Sequence, residues 1–335
     1  MSAPKVLIVR FSSIGDIVLT SPVVRCVKEQ TRAEVHFLTK KSFAATVRHN
    51  PYVDRLWTIE KDIKEIASDL IAERFTHLID LHGNLRTLEL KQRLRWGHLM
   101  AGRRPPPVAT FNKLNTRKFL LTRFQVDRMP DVHIVDRYLA AAAFLGVRND
   151  GRGLDYFVGS QDEPPVPDKP YVAFVIGAAH ATKCLEEEQM IDLCRRIPYP
   201  IVLLGGPGEA ALGERIAQQT QGVDNARGRY PLNGSAELVR RAAAVLTHDT
   251  GLMHIAAAFK RPIVSVWGNT VPGFGMYPYL PPAGAPEAVI AEVKGLSCRP
   301  CSKIGYPACP RGHFSCMRDQ RLDAIARAVL LAVEA

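Results

Sequence analysis

Lys5-Val-Leu-Ile-Val-Arg-Phe-Ser-Ser-Ile-Gly-Asp16 decides the architecture. Residues 5–11 form a continuous apolar run of the kind that becomes a strand buried on both faces, as in parallel sheets. Ser12-Ser-Ile-Gly-Asp16 reads as a turn. Beyond it Ile17, Val18, Val23, Val24 and Val27 recur at helical spacing up to Thr31, and residues 33–38 return as a strand. The alternation continues with a strand at 55–59, a helix over 63–73 and a strand at 77–81. Such alternation specifies βαβ units and an α/β fold with parallel sheets. At about 150 residues per domain, the chain's 335 residues predict two domains.

The expected boundary is residues 161–170, where four prolines fall in ten positions. Proline fixes φ and removes a donor, so the stretch reads as an extended interdomain linker. Strands are then expected at 171–176, 201–204, 244–247, 263–267 and 288–291. Helices are expected at 186–196, 209–220, 235–243 and 323–334. The organisation is therefore an N-terminal domain over 1–160, the linker, a C-terminal domain over 171–322 and a closing helix over 323–335. In open α/β sheets ligands gather beyond the carboxyl ends of the strands, so the chemistry is sought in the loops that follow them.

With 47% hydrophobic and 23% charged residues the chain is globular in composition, which excludes a mostly disordered protein. No apolar run reaches about 18 residues and no secretory signal is evident, so neither a membrane span nor export is expected. Seven cysteines, an odd number, fit a reducing cytoplasm better than a disulfide framework. A net charge of +11 favours an anionic partner. Bases concentrate between 97 and 130: Arg103, Arg104, Lys113, Arg117, Lys118, Arg123 and Arg128, against the single acid Asp127. That segment is either a solvated basic loop or a surface for the phosphates of a lipid-anchored acceptor at the inner membrane leaflet. No interleaved aromatics or motif support nucleic acid.

Two loops carry candidate chemistry. Ser12, Ser13, Gly15 and Asp16 sit at a helix N-terminus, where free amides attract anions and glycine permits close approach. Ser12 or Asp16 is either an N-cap or, for Asp16, a carboxylate able to act as a general base. The absence of G-x-G-x-x-G counts against a dinucleotide dehydrogenase. Asp249-Thr-Gly251 follows a strand and opens a helix, so its amides could hold a diphosphate; the bland reading is an ordinary helix start. His254 lies one turn further on, either functional or a satisfied helix histidine. Asp-Thr-Gly also occurs in aspartic proteases, but those are β-rich.

Arg10-Phe-Ser-Ser-Ile-Gly-Asp-Ile-Val-Leu-Thr-Ser-Pro22 resembles the amino-terminal motif of glycosyltransferase family 9, the bacterial heptosyltransferases of lipopolysaccharide core assembly. Asp249-Thr-Gly-Leu-Met-His-Ile-Ala-Ala-Ala258, with Pro262 and Trp267-Gly268, resembles the family's carboxyl-terminal signature. Asp80-Leu-His-Gly-Asn-Leu-Arg86 and Gly205-Gly-Pro-Gly-Glu209 fit its intervening segments. The resemblance implies a GT-B fold, two Rossmann-like domains with parallel sheets facing across a cleft. It implies an inverting transfer from a nucleotide-diphospho-sugar, ADP-heptose first, to an anionic glycolipid of the lipopolysaccharide core. Asp16 would be the base, with Ser12, Gly15 and Arg86 on the acceptor. Lys183 would face the donor phosphates, Glu209 the ribose, and Asp249, Thr250, Gly251 and His254 the sugar and diphosphate. Cys184 and Leu185 follow Lys183 where the family usually has an aromatic residue. No cofactor is implied for catalysis. The alternatives are a GT-B transferase or epimerase using a UDP- or GDP-sugar, and a non-catalytic sugar-nucleotide or anionic-glycan binder.

Cys298, Cys301, Cys309 and Cys316 gather four of the seven cysteines into one Pro/Gly-rich stretch, with His313 as a further possible ligand. C-x-x-C is a usual half of a zinc site, though the second half lacks tight pairing. The expectation is either a structural zinc or reduced, unligated thiols.

Overall fold

The computed structural model describes residues 3–159, 164–206, 208 and 210–334; Gln161–Glu163 of the expected linker and Glu209 lie outside the described residues. Apolar, β-branched runs form two parallel sheets. The first joins β1 (Lys5–Val9), β2 (Glu34–Lys40), β3 (Arg55–Ile59), β4 (His77–Asp80) and β5 (Val108–Thr110) in the order β3-β2-β1-β4-β5. The second joins β6 (Val172–Val175), β7 (Ile201–Leu204), β8 (Val223–Asn225), β9 (Ala244–His248), β10 (Ile263–Trp267) and β11 (Val289–Glu292) in the order β11-β10-β9-β6-β7-β8. Val6, Leu7 and Ile8 of β1 and Val172, Ala173 and Phe174 of β6 are wholly buried. That explains their unbroken apolar sequence, each large side chain contributing about 1.5–3 kcal/mol on burial.

In each sheet the first strand is flanked by the next strand on one side and a later one on the other. The topological switch points are therefore β1/β4 and β6/β9. In doubly wound folds ligands bind at these points, beyond the strands' carboxyl ends.

The helices of the first series are α1 (Ile14–Val18), α2 (Ser21–Thr31), α3 (Ala67–Ala72), α4 (Leu85–Met100), α5 (Asn115–Phe124) and α6 (Ile134–Ala142). Those of the second are α7 (Glu187–Arg196), α8 (Ala210–Gln218), α9 (Leu232–Arg241), α10 (Gly251–Ala258), α11 (Ser315–Arg318) and α12 (Leu322–Glu334). The single helix expected over 17–31 is two. Pro22 lacks the N–H that a continuous helix would need, and Thr20 starts a new one with Pro22 in its first turn. The helix expected over 63–73 is a 3-10 turn at Ile63–Glu65 followed by α3.

The chain forms two compact units, Met1–Lys113 with Ile134–Phe157, and Leu114–His133 with Val158–Ala335. Residues 114–133, expected within the N-terminal domain, group with the second unit. There His133 Nε2 is 2.9 Å from the Tyr277 carbonyl and its ring lies 4.6 Å from that of Tyr279. Among the described residues, no helix is long and apolar enough to cross a membrane.

Candidate active site

At the β1/β4 switch point the turn after β1 brings Arg10, Ser12, Ser13, Gly15 and Asp16 together. Arg10 is buried, with Nη2 2.7 Å from Asp16 Oδ1 and Nε donating to the Ser12 carbonyl at 2.7 Å. Asp16 Oδ2 accepts from the Ser13 amide (3.2 Å) and hydroxyl (2.9 Å), closing a capping box at α1. Asp16 is thus a cap and also a held carboxylate, for the two readings do not exclude each other. Burial alone would push its carboxyl up. The Arg10 guanidinium and the two Ser13 donors overcome that, holding Asp16 below the usual carboxylate range. Its side chain keeps 19% exposure, and a carboxylate has lone pairs beyond those used here. Gly15 is buried in the first turn of α1. The Arg86 guanidinium lies 5.5 Å over the Phe11 ring, beside the same turn.

The loop after β4 is held by Asp80. Its Oδ1 accepts from the amides of His82 (2.9 Å) and Gly83 (2.7 Å), and Lys91 Nζ pairs with Oδ2 at 2.5 Å. Gly83 supplies the positive φ (+61°) this turn requires. His82 packs edge-on against Phe11 with ring centroids 5.2 Å apart. Burial, reinforced by Arg10 and Lys113, pushes its pKa down to about 4, so the ring is neutral at pH 7.

At the β6/β9 switch point Lys183 Nζ pairs with Asp249 Oδ2 at 2.5 Å and lies 3.4 Å from the Asp249 carbonyl. Thr270 Oγ1 donates to the same carboxylate oxygen at 2.9 Å. Asp249 precedes Thr250, the N-cap of α10, whose side chain makes no capping hydrogen bond. The α10 amides at Gly251 and beyond therefore have no side-chain cap, and the dipole adds positive character there. His254 is buried on α10, one turn further. Behind this loop His248 Nε2 accepts from the Leu185 amide at 3.1 Å; burial pushes its pKa down to about 4.

The sequence reading passed over Arg10 as a partner of Asp16, and Thr270 and Arg299 altogether. Arg299 bonds the Thr270 carbonyl (2.9 Å) and the Gly268 carbonyl (2.5 Å) and pairs with Glu292 (2.7 Å). A basic residue in a cysteine-rich stretch gives no signal of such a role.

The cysteines are free thiols. Cys298 Sγ lies 3.7 Å from His313 Nε2, and the Cys301 thiol donates to the Cys298 carbonyl at 2.8 Å. Burial, with the neighbouring cysteines adding to it, pushes the Cys301 thiol up to about 11. Zn–S bonds of about 2.3 Å require ligand atoms within about 4.6 Å of one another. Among the described residues, the one trio of His, Cys, Asp or Glu ligand atoms mutually within 4.8 Å is Glu34, His36 and Glu73. The cysteine set as placed is wider than a zinc site. At the Glu34–Glu73 trio the Lys5 ammonium already pairs with both carboxylates, at 3.1 and 2.9 Å.

Two parallel doubly wound sheets, each with charged side chains gathered at its switch point, are the architecture of GT-B-type glycosyltransferases. The sequence matches the model of glycosyltransferase family 9 (heptosyltransferase) over residues 66–307, and the chain belongs to that family. It is 28% identical to lipopolysaccharide heptosyltransferase 1 of Pseudomonas aeruginosa over 334 residues, covering 89% of this chain and 86% of that protein. The fold is similar to a family 9 glycosyl transferase from Veillonella parvula, with a TM-score of 0.75 and 19% identity, covering 100% of this chain and 98% of the other. It is also similar to the Escherichia coli heptosyltransferase WaaC with ADP, with a TM-score of 0.63 and 23% identity, covering 83% and 95%.

Proposed function

We propose that this glycosyltransferase moves a heptose from ADP-heptose to an anionic acceptor of the lipopolysaccharide-core type, with inversion, in the cytoplasm. The observation that carries the reading is Asp16: a carboxylate at a switch point, ionised, oriented from both sides and still open to solvent. In the proposed step the acceptor hydroxyl attacks the anomeric carbon and its proton passes to Asp16. The bond from that carbon to the diphosphate oxygen breaks, and ADP leaves. Lys183 and the open amides of α10 offset the charge that builds on the departing diphosphate, an electrostatic task needing no proton transfer. Lys183 would then exchange Asp249 for phosphate. Glu209 is assigned to the ribose, and Asp249, Thr250, Gly251 and His254 to the sugar and diphosphate. Ser12, Gly15 and Arg86 are assigned to the acceptor, with the bases of 103–128 toward its anionic groups at the membrane. ADP as the nucleotide is supported by the ADP bound to WaaC and by the heptosyltransferase relative. Catalysis in this family calls for no cofactor.

A thermal-shift screen of ADP-, UDP- and GDP-sugars, followed by product detection and NMR of the new anomeric centre, tests the reading. Stabilisation by ADP-heptose and an inverted product are expected. A preference for UDP- or GDP-sugars, or retention at the anomeric carbon, would overturn it.

A further inference from the structure

The solvent side of α4 carries five large apolar residues where a surface helix is ordinarily polar, interrupted by Gln92 and by Glu89, whose charge Arg93 pairs. Leu85, Leu88, Trp96, Leu99 and Met100 are exposed, while Thr87, Leu90, Leu94 and His98 face inward. At these spacings the exposed five share one helical face. Single exposed apolar residues are ordinary, but a row of five on one helix marks a contact surface.

What surrounds the row is cationic. From Leu90 to Val126 the sequence contains nine Lys and Arg and no acid. Lys91 and Arg93 are engaged with Asp80 and Glu89. Arg95, Arg103 and Arg104 enter no ion pair among the described residues, although all three are exposed.

Between α4 and the Pro105–Val108 segment opens a cavity of about 510 Å3, walled by Leu78, Leu94, Pro106 and Val108, with Lys91 and Arg95 in its lining. A neighbouring cavity of about 500 Å3 adds Arg103 and Arg104. Three consecutive prolines leave that wall without N–H donors, so it suits hydrocarbon better than a polar ligand. Apolar walls edged by guanidinium groups match an acyl chain beneath a phosphate.

We propose that this face of α4 docks the protein on an anionic phospholipid bilayer. Trp96, Leu99 and Met100 enter the boundary between headgroups and acyl chains, and Arg95, Arg103 and Arg104 pair with lipid phosphates. A second copy of the chain is the poorer occupant. A two-fold contact through α4 would bring these unneutralised arginines toward their own counterparts. The proposal narrows the membrane contact of the reading above to a named surface. It is independent of the sugar transferred, so binding is measured without donor.

Trp57 and Trp267 are 6% and 1% exposed and Trp96 is 62% exposed, so Trp96 reports on this face. The full chain is mixed with vesicles of phosphatidylglycerol and phosphatidylcholine, or of phosphatidylcholine alone. Co-sedimentation with the anionic vesicles only is expected, with a blue shift of Trp96 emission and quenching by brominated acyl chains. The triple variant Arg95→Gln, Arg103→Gln, Arg104→Gln should weaken binding on the order of a hundredfold, about fivefold per arginine. Leu99→Gln with Met100→Gln should remove the quenching and leave circular dichroism and turnover of a soluble acceptor unchanged. Unshifted Trp96 emission on anionic vesicles, or binding that survives both variants, would overturn the proposal. So would a lipid-free dimer that shields Trp96. Vesicle binding without heptosyl transfer would overturn the proposed reaction and leave this surface standing.

Discussion

Asp16 has more partners than a helix cap needs, and each has a consequence that can be measured. Replacing it with Ala should lower kcat by a factor on the order of 10² or more with donor affinity nearly unchanged, read from steady-state kinetics and calorimetric donor binding. Its depressed pKa puts the acid limb of kcat/KM below the ordinary Asp value of about 3.9, with a flat profile through neutrality. Arg10→Met removes the largest opposing influence and leaves burial to act. The acid limb should then move up in pH, while stability falls by about 3 kcal/mol as a buried charge loses its partner. An acid limb that stays in place in Arg10→Met would remove Arg10 from any role in keeping the base ionised. Lys183→Gln should raise the donor KM and lower kcat roughly 10²-fold, as expected when a group stabilising leaving-group charge is lost. Asp16 was marked by its place in a loop following a strand, and Lys183 only by the family resemblance. Arg10 and Thr270 were not, since their role is a bond to another residue that only the folded loops create.

At the scale of elements, the loop after β10 depends on Gly268. A Cβ there would fall 2.6 Å from both the Thr182 carbonyl oxygen and Met317 Cε. The Thr182 carbonyl accepts from the Asn269 amide, and Thr182 adjoins Lys183. Gly268→Ala should therefore cost about 1–3 kcal/mol of stability in denaturant titrations and raise the donor KM by displacing the Lys183 turn. A variant with wild-type KM would show that the turn can retreat without moving the lysine. The elements that sequence periodicity missed have a common cause. In α4, apolar residues lie on both the buried and the exposed faces, so no stripe repeats at 3.6 residues. β5 and β8 are three-residue edge strands, β5 directly after Pro107 and β8 containing Asp224 and Asn225, poor strand formers.

At the scale of the whole molecule, His82 and His248 tie stability to pH. In the unfolded chain each protonates below about 6.5, whereas in the fold each waits until about 4. Between those values the unfolded state holds more protons, so stability rises with pH across that window. Each histidine should account for up to about 3 kcal/mol of the loss on acidification to pH 4. Urea titrations from pH 4 to 7 should show a shallower slope for His248→Asn than for wild type. The cysteine stretch bears on the molecule through Arg299 and through Tyr306, whose amide donates to Thr182 Oγ1 at 2.8 Å. For zinc to serve there, the four sulfurs would have to converge from their present spacing. Elemental analysis of chelator-free protein separates the two readings, about one zinc per chain for a structural metal and none for free thiols. Metal-free protein of undiminished stability would leave four reduced thiols.

Local sequence was enough for the class of fold and for most strands. A fully buried parallel strand must be apolar along its whole length, and the helix packed on it must repeat at 3.6 residues, so both patterns are written in the chain. The loops at the ends of β1 and β9 were marked for the same reason, since chemistry in such folds follows strand ends, whereas the loop after β6 was marked only by the family resemblance. Tertiary structure alone decided that 114–133 joins the second unit, that Asp16 is held by Arg10, that Lys183 rests on Asp249 and that α4 turns an apolar face outward. Each is a matter of a particular side-chain contact, near or far along the chain, or of the side left uncovered. Periodicity records which residues need burial, but it does not record which neighbour provides it.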